Sequence, residues 1–280
     1  MTDFLARQER FATVGSTNDV VRAWLAEGTP EVCLAIADEQ SAGRGRAGRT
    51  WTAPVGGALL LSLGFRPTWL SPDRVWRLAA TISLAMADAA EEVAGLADRA
   101  IRLKWPNDLV AETVGPALPV APQVATEVRK LAGLLGETDG LGGPDPRAVI
   151  GLGLNTDWSA AAFPPALAGS MTSLREASSG RPIDHVALLD AFLGRLEVRI
   201  AALRDGRFDV GDWTGRQLTT GRDVDLTDPD GTVRTVRALG VDSGTGALVV
   251  EDPTAPTGER QVVVGEIRHV RLATVAAIGV

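Results

Sequence analysis

The sequence predicts an α+β body followed by a small β-barrel of about 55 residues. Three observations carry this. Compact apolar runs of strand length, Val32–Ala37, Ala58–Phe65 and Ala148–Leu154, share the first 220 residues with two long helical patterns. After Gly221 the texture changes to short β-rich runs separated by strong turn signals. Hydrophobic residues at 45% against 22% charged give an ordinary globular composition with a core to bury. The expected division is therefore 1–220 for the body and 221–280 for the β domain.

In chain order, Phe11–Val14 reads as a short strand. Gly15-Ser16-Thr17-Asn18 opens a helix over Asp19–Glu27, which Gly28 stops. Val32–Ala37 is a strand, Gln40–Thr50 a polar loop and Ala58–Phe65 a buried strand. Ser71-Pro72 offers an N-cap and the residue preferred at the first helical position, and starts a helix that runs to Val93. Ile101–Lys104 and Leu109–Val110 are strands on either side of Pro106. Glu112–Thr126 has little pattern and reads as a long excursion. Lys130–Glu137 and Ala148–Leu154 are strands with interspersed glycine, joined by a turn at Gly140–Arg147. Helices follow at Ser173–Ser178 and Asp184–Arg204. The closing β runs are Val224–Leu226, Val233–Leu239, Ala247–Val250 and Gln261–Val264, with turns at Asp228–Gly231 and Asp242–Gly246.

Charge and cysteine content exclude several functions. With 28 Lys+Arg against 35 Asp+Glu the net charge is -7, so no broad basic face for nucleic acid is expected. One cysteine, Cys33, excludes an internal disulfide, and with no signal peptide the cytoplasm is the expected location. The most apolar run, Gly57–Phe65, is too short to span a bilayer. His185 and His269 lie far apart, which leaves histidine triads and zinc motifs without parts.

Chemistry concentrates in a few short stretches. Gly43–Arg49 places three arginines in seven residues of an acidic chain. Glycines let successive N–H groups form an anion nest, and guanidinium forks grip phosphate oxygens. The competing reading is a solvated basic loop. The G-x-G-x-x-G match is not a dinucleotide fingerprint, because Trp51–Pro54 followed by Gly56-Gly57 cannot form the helix that fingerprint needs. Lys104-Trp105-Pro106-Asn107-Asp108 joins a cation, a rigid turn and two short polar residues. Asp108 is a candidate Mg²⁺ ligand there, and a plain Asn-Asp turn is the alternative. Lys130 opens an apolar strand, either as an edge guard or as a charge aimed into a pocket. Ser16–Asn18 needs no role beyond a helix cap. Asn155 ends a strand with an amide or with an ordinary turn. Trp51 is either a ligand wall or a core residue, and the remaining tryptophans read as packing.

The order of these stretches is the informative part: S-T-N, then E-Q-x-A-G-R-G-R-x-G-R-x-W, K-W-P-N-D-L, K-L-A-G and I-G-x-G-x-N, then a small β domain. This order, from Phe11 to Leu272, resembles the catalytic and C-terminal domains of bacterial biotin–protein ligases. The resemblance implies a class II synthetase-like mixed sheet with flanking helices and an SH3-like barrel. It implies ATP-dependent formation of biotinyl-5′-AMP, with Mg²⁺, and transfer of biotin to a lysine of the carrier domain of a biotin-dependent carboxylase. It places Ser16, Thr17, Asn18 and Gln40 around the biotin ring, with Arg44, Gly45, Arg46, Lys130 and Gly133 completing the biotin site. Arg46 and Lys130 are then the catalytic cations. Arg46, Arg49, Trp51, Lys104, Asn107 and Asn155 fall on the nucleotide and phosphate side, with Asp108 as the metal ligand or the group that meets the acceptor lysine. The C-terminal domain would help close over ATP.

Only 15 residues precede Ser16, so a ligase without a DNA-binding repressor domain is expected. Two competitors stand beside it: a lipoate–protein ligase, which needs a linear apolar channel, and an RNA-binding module built on the Gly-Arg loop. A sheet edge admits either carrier docking or a homodimer, since both use strand addition.

Overall fold

The computed structural model describes residues 4–114, 126–227, 232–263 and 269–272. The body is a seven-stranded sheet in the order β1-β2-β3-β7-β6-β5-β4. Its strands are β1 (Arg7–Val14), β2 (Cys33–Gln40), β3 (Ala58–Phe65), β4 (Ile101–Lys104), β5 (Asp108–Val114), β6 (Thr126–Asp139) and β7 (Arg147–Asn155). Among the described strands only β1 and β2 pair in parallel, and the helix α1 (Thr17–Ala26) makes the crossover between them.

Period-two alternation assigns the two faces. Leu34 and Ile36, Leu59, Leu61 and Leu63, Leu134, and Ile150, Leu152 and Leu154 point to one side and pack against α2 (Trp76–Ala94) and, after the short α3 (Leu174–Ala177), α4 (His185–Arg204). The other face carries Cys33 and Ala35, Ser62, and Val149. There α1 covers β2, β3 and part of β7 with Val21, Trp24 and Leu25. The part of this face that α1 leaves uncovered is the floor of the site described below.

Several expectations need correction. Ser71 does not cap α2: Pro72–Arg74 forms a separate 3-10 turn, and α2 starts at Trp76. Lys130 is not at an edge, since β6 runs between β5 and β7. The segment after Glu112 is not wholly an excursion. Glu112 and Thr113 continue β5 and pair with Val128 and Glu127, a ladder without a buried apolar stripe to betray it, while 115–125 lie outside the described residues. A short helix, α5 (Val210–Gly215), capped by Asp209, was not foreseen.

The C-terminal part forms a five-stranded antiparallel sheet in the order β11-β10-β9-β8-β12, from β8 (Asp223–Thr227), β9 (Val233–Val241), β10 (Leu248–Glu251), β11 (Glu259–Val262) and β12 (His269–Leu272). The expected turn at Asp228–Gly231 lies outside the described residues. Val224, Leu226, Ala238, Leu248, Val250 and Val262 make its small core. Trp105 of the body inserts into that core and donates its indole N–H to the Gly246 carbonyl at 2.9 Å.

Candidate active site

On the uncovered face, neutral polar groups form one continuous chain. Ser62, on β3, donates to Thr17 Oγ1 at 2.7 Å or Asn18 Oδ1 at 2.6 Å. Gln40, at the end of β2, accepts from the Thr17 backbone N–H at 2.8 Å and from its hydroxyl at 3.1 Å. Asn18 donates to Glu137 Oε2 at 2.7 Å, which fixes the orientation of its amide. Ser16, Thr17 and Asn18 are all buried. Ser16 sits at the N-cap without a side-chain cap bond. Its carbonyl accepts from Asp19 and Val20 as an N-cap carbonyl does, while the side chains of Thr17 and Asn18 join the polar chain.

The floor beside this chain is glycine. A Cβ on Gly151 would lie 2.3 Å from Asn18 Oδ1, and one on Gly153 would lie 2.5 Å from the Trp51 ring. Trp51 comes from the arginine loop and lies across Gly133 and Gly153. Its indole N–H is buried with no acceptor among the described residues. Gly151 and Gly153 are the glycines of the I-G-x-G-x-N stretch, where Asn155 alone carries an expected site role. The alternation in Ile150–Leu154, with every second residue a glycine on one face, was the available signal.

The cationic end lies where β5, β6 and the loop meet. Lys130 Nζ is 2.6 Å from Asp108 Oδ1 and 5.5 Å from the centre of the Trp51 ring. Arg46 is half-buried and donates to Asn107 Oδ1 at 3.4 Å, while Asn107 donates to the Leu134 carbonyl at 2.6 Å. Burial works against the Arg46 charge and pulls its pKa down, and the nearby Asp108 carboxylate opposes this. Among the described residues Arg46 forms no ion pair. It is a desolvated cation with an unfilled demand for an anion.

The remaining expected residues scatter. Gly45 is the extended residue ahead of the loop's 3-10 turn. Arg49 turns back to the Arg46 carbonyl at 3.1 Å. Arg44 points the other way, to Asp19, and binds both carboxylate oxygens at 2.7 Å. Lys104 sits half-buried opposite Asp108 in the β4–β5 ladder. Asn155 is buried and spends its N–H on the Thr172 carbonyl at 2.9 Å. Cys33 is sealed in the core, where burial pushes its thiol up to about 11, so it is no nucleophile.

A resident metal does not fit this donor set. Asp108 is a single carboxylate already engaged by Lys130, and among the described residues no three His, Cys, Asp or Glu side chains converge. A cavity of about 670 Å³ lies elsewhere, between α2, α4 and Phe208, on the opposite face of the sheet. It holds none of the groups above.

A neutral hydrogen-bonding cluster next to a cationic cluster, both resting on strands rich in glycine, suits a small acid with a polar head. Comparisons with known proteins identify the family. Residues 11–155 match the family described as Biotin/lipoate A/B protein ligase. The chain is 31% identical over 265 residues to the biotin–[acetyl-CoA-carboxylase] ligase of Mycobacterium tuberculosis, covering 93% of this chain and 88% of that protein. It is 27% identical to the bifunctional ligase/repressor BirA of Bacillus subtilis, covering 85% of this chain and 67% of that protein. The fold matches the biotin protein ligase from Aquifex aeolicus in complex with biotin and ATP, with a TM-score of 0.73 at 22% identity, covering 95% of this chain and 99% of that one. The chain belongs to the biotin/lipoate A/B protein ligase family.

Proposed function

We propose that this ligase joins biotin to AMP and passes the biotinyl group to a lysine of a biotin carboxyl carrier domain. The observation that supports it best is the pairing of a neutral hydrogen-bonding cluster with a cationic cluster on one face of the sheet. The ureido ring of biotin is uncharged and carries both donors and acceptors, so Thr17, Asn18, Ser62 and Gln40 suit it better than charged groups. The glycines let Asn18 and the Trp51 ring pack directly on the sheet, and an acceptor on the ligand would satisfy the stranded Trp51 N–H, which otherwise costs about 1–3 kcal/mol.

In the first step a carboxylate oxygen of biotin attacks the α-phosphate of ATP and pyrophosphate leaves. Two anions must approach each other. Lys130 exchanges Asp108 for the substrate carboxylate, and Arg46 meets the phosphate. In the second step the carrier's ε-amine attacks the acyl carbon and AMP leaves. Asp108, freed from Lys130, stands where that amine arrives. Mg²⁺ is expected to enter as the counterion of the nucleotide phosphates. Asn107 and Trp51 serve the nucleotide side. Arg49, Lys104 and Asn155 keep their expected nucleotide roles only if the loop and strand ends rearrange on binding.

The domain division at 220 and 221 rests on the separate cores, and we read the C-terminal sheet as an SH3-like barrel that closes over ATP. β1 is a terminal strand of the sheet and offers the backbone edge for carrier docking or dimerisation. Among the described residues no helix is long and apolar enough to cross a membrane, and the lone buried Cys33 suits a cytoplasmic enzyme. The net charge of -7 supports a ligase without operator binding.

The test is to mix the protein with biotin, ATP, Mg²⁺ and a biotin carboxyl carrier domain and weigh the carrier. One biotinyl group per carrier is expected, with little incorporation when lipoate replaces biotin. Lys130→Ala should slow adenylate formation by the equivalent of about 2.7–4 kcal/mol. No mass gain, or equal use of lipoate, would overturn the assignment.

A further inference from the structure

Arg44 does not face the groove. It is the loop's contribution to a closed quartet of two arginines and two carboxylates. Its guanidinium binds Asp19 through two 2.7 Å bonds and lies 3.4 Å from Glu137 Oε2. Arg22 closes the ring, 3.1 Å from Asp19 and 2.7 Å from Glu137. Asp19 and Arg22 sit on α1 and Glu137 on β6, so three of the four members stand on rigid elements and only Arg44 is loop-borne. Glu137 Oε2 also accepts the Asn18 amide at 2.7 Å. The same carboxylate therefore holds the loop and orients a residue of the neutral end.

We infer that Asp19, with Glu137, is a positioning residue that bolts the arginine loop shut through Arg44 and so keeps Arg46 over the reacting phosphate. The reach of the chain makes the coupling tight. Arg46 follows Arg44 by two residues, so its Cα stays within about 7 Å of the bolted one. Arg44 then serves as an anchor, and the ligand-facing charge falls to Arg46. The bidentate fork suits that duty, because it fixes direction as well as distance. The Arg44 contact also holds the Asp19 carboxyl below the usual carboxylate range, as a formed pair requires. The members are partly exposed, with side-chain accessibilities of 38% for Arg44 and 48% for Asp19, so the bolt is salt-sensitive and can open.

This inference rests on the adenylate-forming reading, and the experiment separates the two. Preformed biotinyl-5′-AMP is bound to the protein and its release is timed in low salt and in 1 M KCl. In low salt the parent should retain it, and Asp19→Asn should release it about two- to fivefold faster. Asp19→Glu should restore slow release. Adding Asp19→Asn to Arg44→Gln should change nothing further, because the pair is already broken. In 1 M KCl the difference between parent and Asp19→Asn should shrink. Release from Asp19→Asn at the parental rate, or an equal acceleration in the Arg44→Gln background, would overturn the bolt and leave the function intact. A parent that does not bind biotinyl-5′-AMP would overturn both.

Discussion

At the scale of single residues, the site depends on what two strands leave out. Gly151 and Gly153 face the same side of β7 and meet different neighbours. The Asn18 amide over Gly151 is held at both ends, by Ser62 and by Glu137. The Trp51 ring over Gly153 belongs to a loop and can withdraw. The two alanine variants should therefore differ. Gly153→Ala should displace the ring and weaken biotin binding about 10- to 100-fold in calorimetric titration, with little change in unfolding midpoint. Gly151→Ala has no soft neighbour and should cost about 1–3 kcal/mol of stability as well. Equal behaviour of the pair would contradict the assignment of rigid and yielding neighbours. Gly133 was legible from the K-L-A-G stretch. Gly151 and Gly153 were legible as part of the I-G-x-G-x-N stretch, but what they leave room for needs the strand's facing to be known. Arg44 was misleading for a plain reason: its partner Asp19 is 25 residues away in sequence, and no spacing rule joins them.

At the scale of elements, the layer behind the sheet is fastened by buried charge. Arg216, just after α5, is 2% exposed and binds Glu91 and Asp88 of α2, Asp212 of α5 and the Ile101 carbonyl at the start of β4. Its carboxylate partners more than offset the burial that would lower its pKa, so the guanidinium stays firmly charged. Glu91 also accepts the Ile101 backbone N–H at 2.8 Å. Arg216→Ala would strand Glu91 without its cation and should cost about 3–5 kcal/mol, read from urea unfolding curves. A loss below about 1 kcal/mol would mean that water replaces the guanidinium without penalty. None of this network was legible in the sequence. α5 spans six residues with two glycines, too short for periodicity to register, and Arg216 looks like any surface arginine until the fold closes around it. The long helices and central strands were legible because each buries one regular face.

At the scale of the whole molecule, the two cores meet where chemistry and architecture share a motif. Lys104–Leu109 contributes Asn107 and Asp108 to the groove and Trp105 to the C-terminal sheet, so one tight turn links the site to the second core. That double duty was not visible in the sequence, where the motif read as a turn or as a ligand site. The account's central claim is that the groove over Gly133, Gly151 and Gly153 holds the acid and the arginine loop holds its phosphate. A crystal structure with biotinyl-5′-AMP tests it most directly. The bicyclic ring should lie on the glycine floor beside Thr17 and Asn18, with the phosphate between Arg46 and Lys130. Ligand density in the α2–α4 cavity, with the groove left vacant, would contradict it.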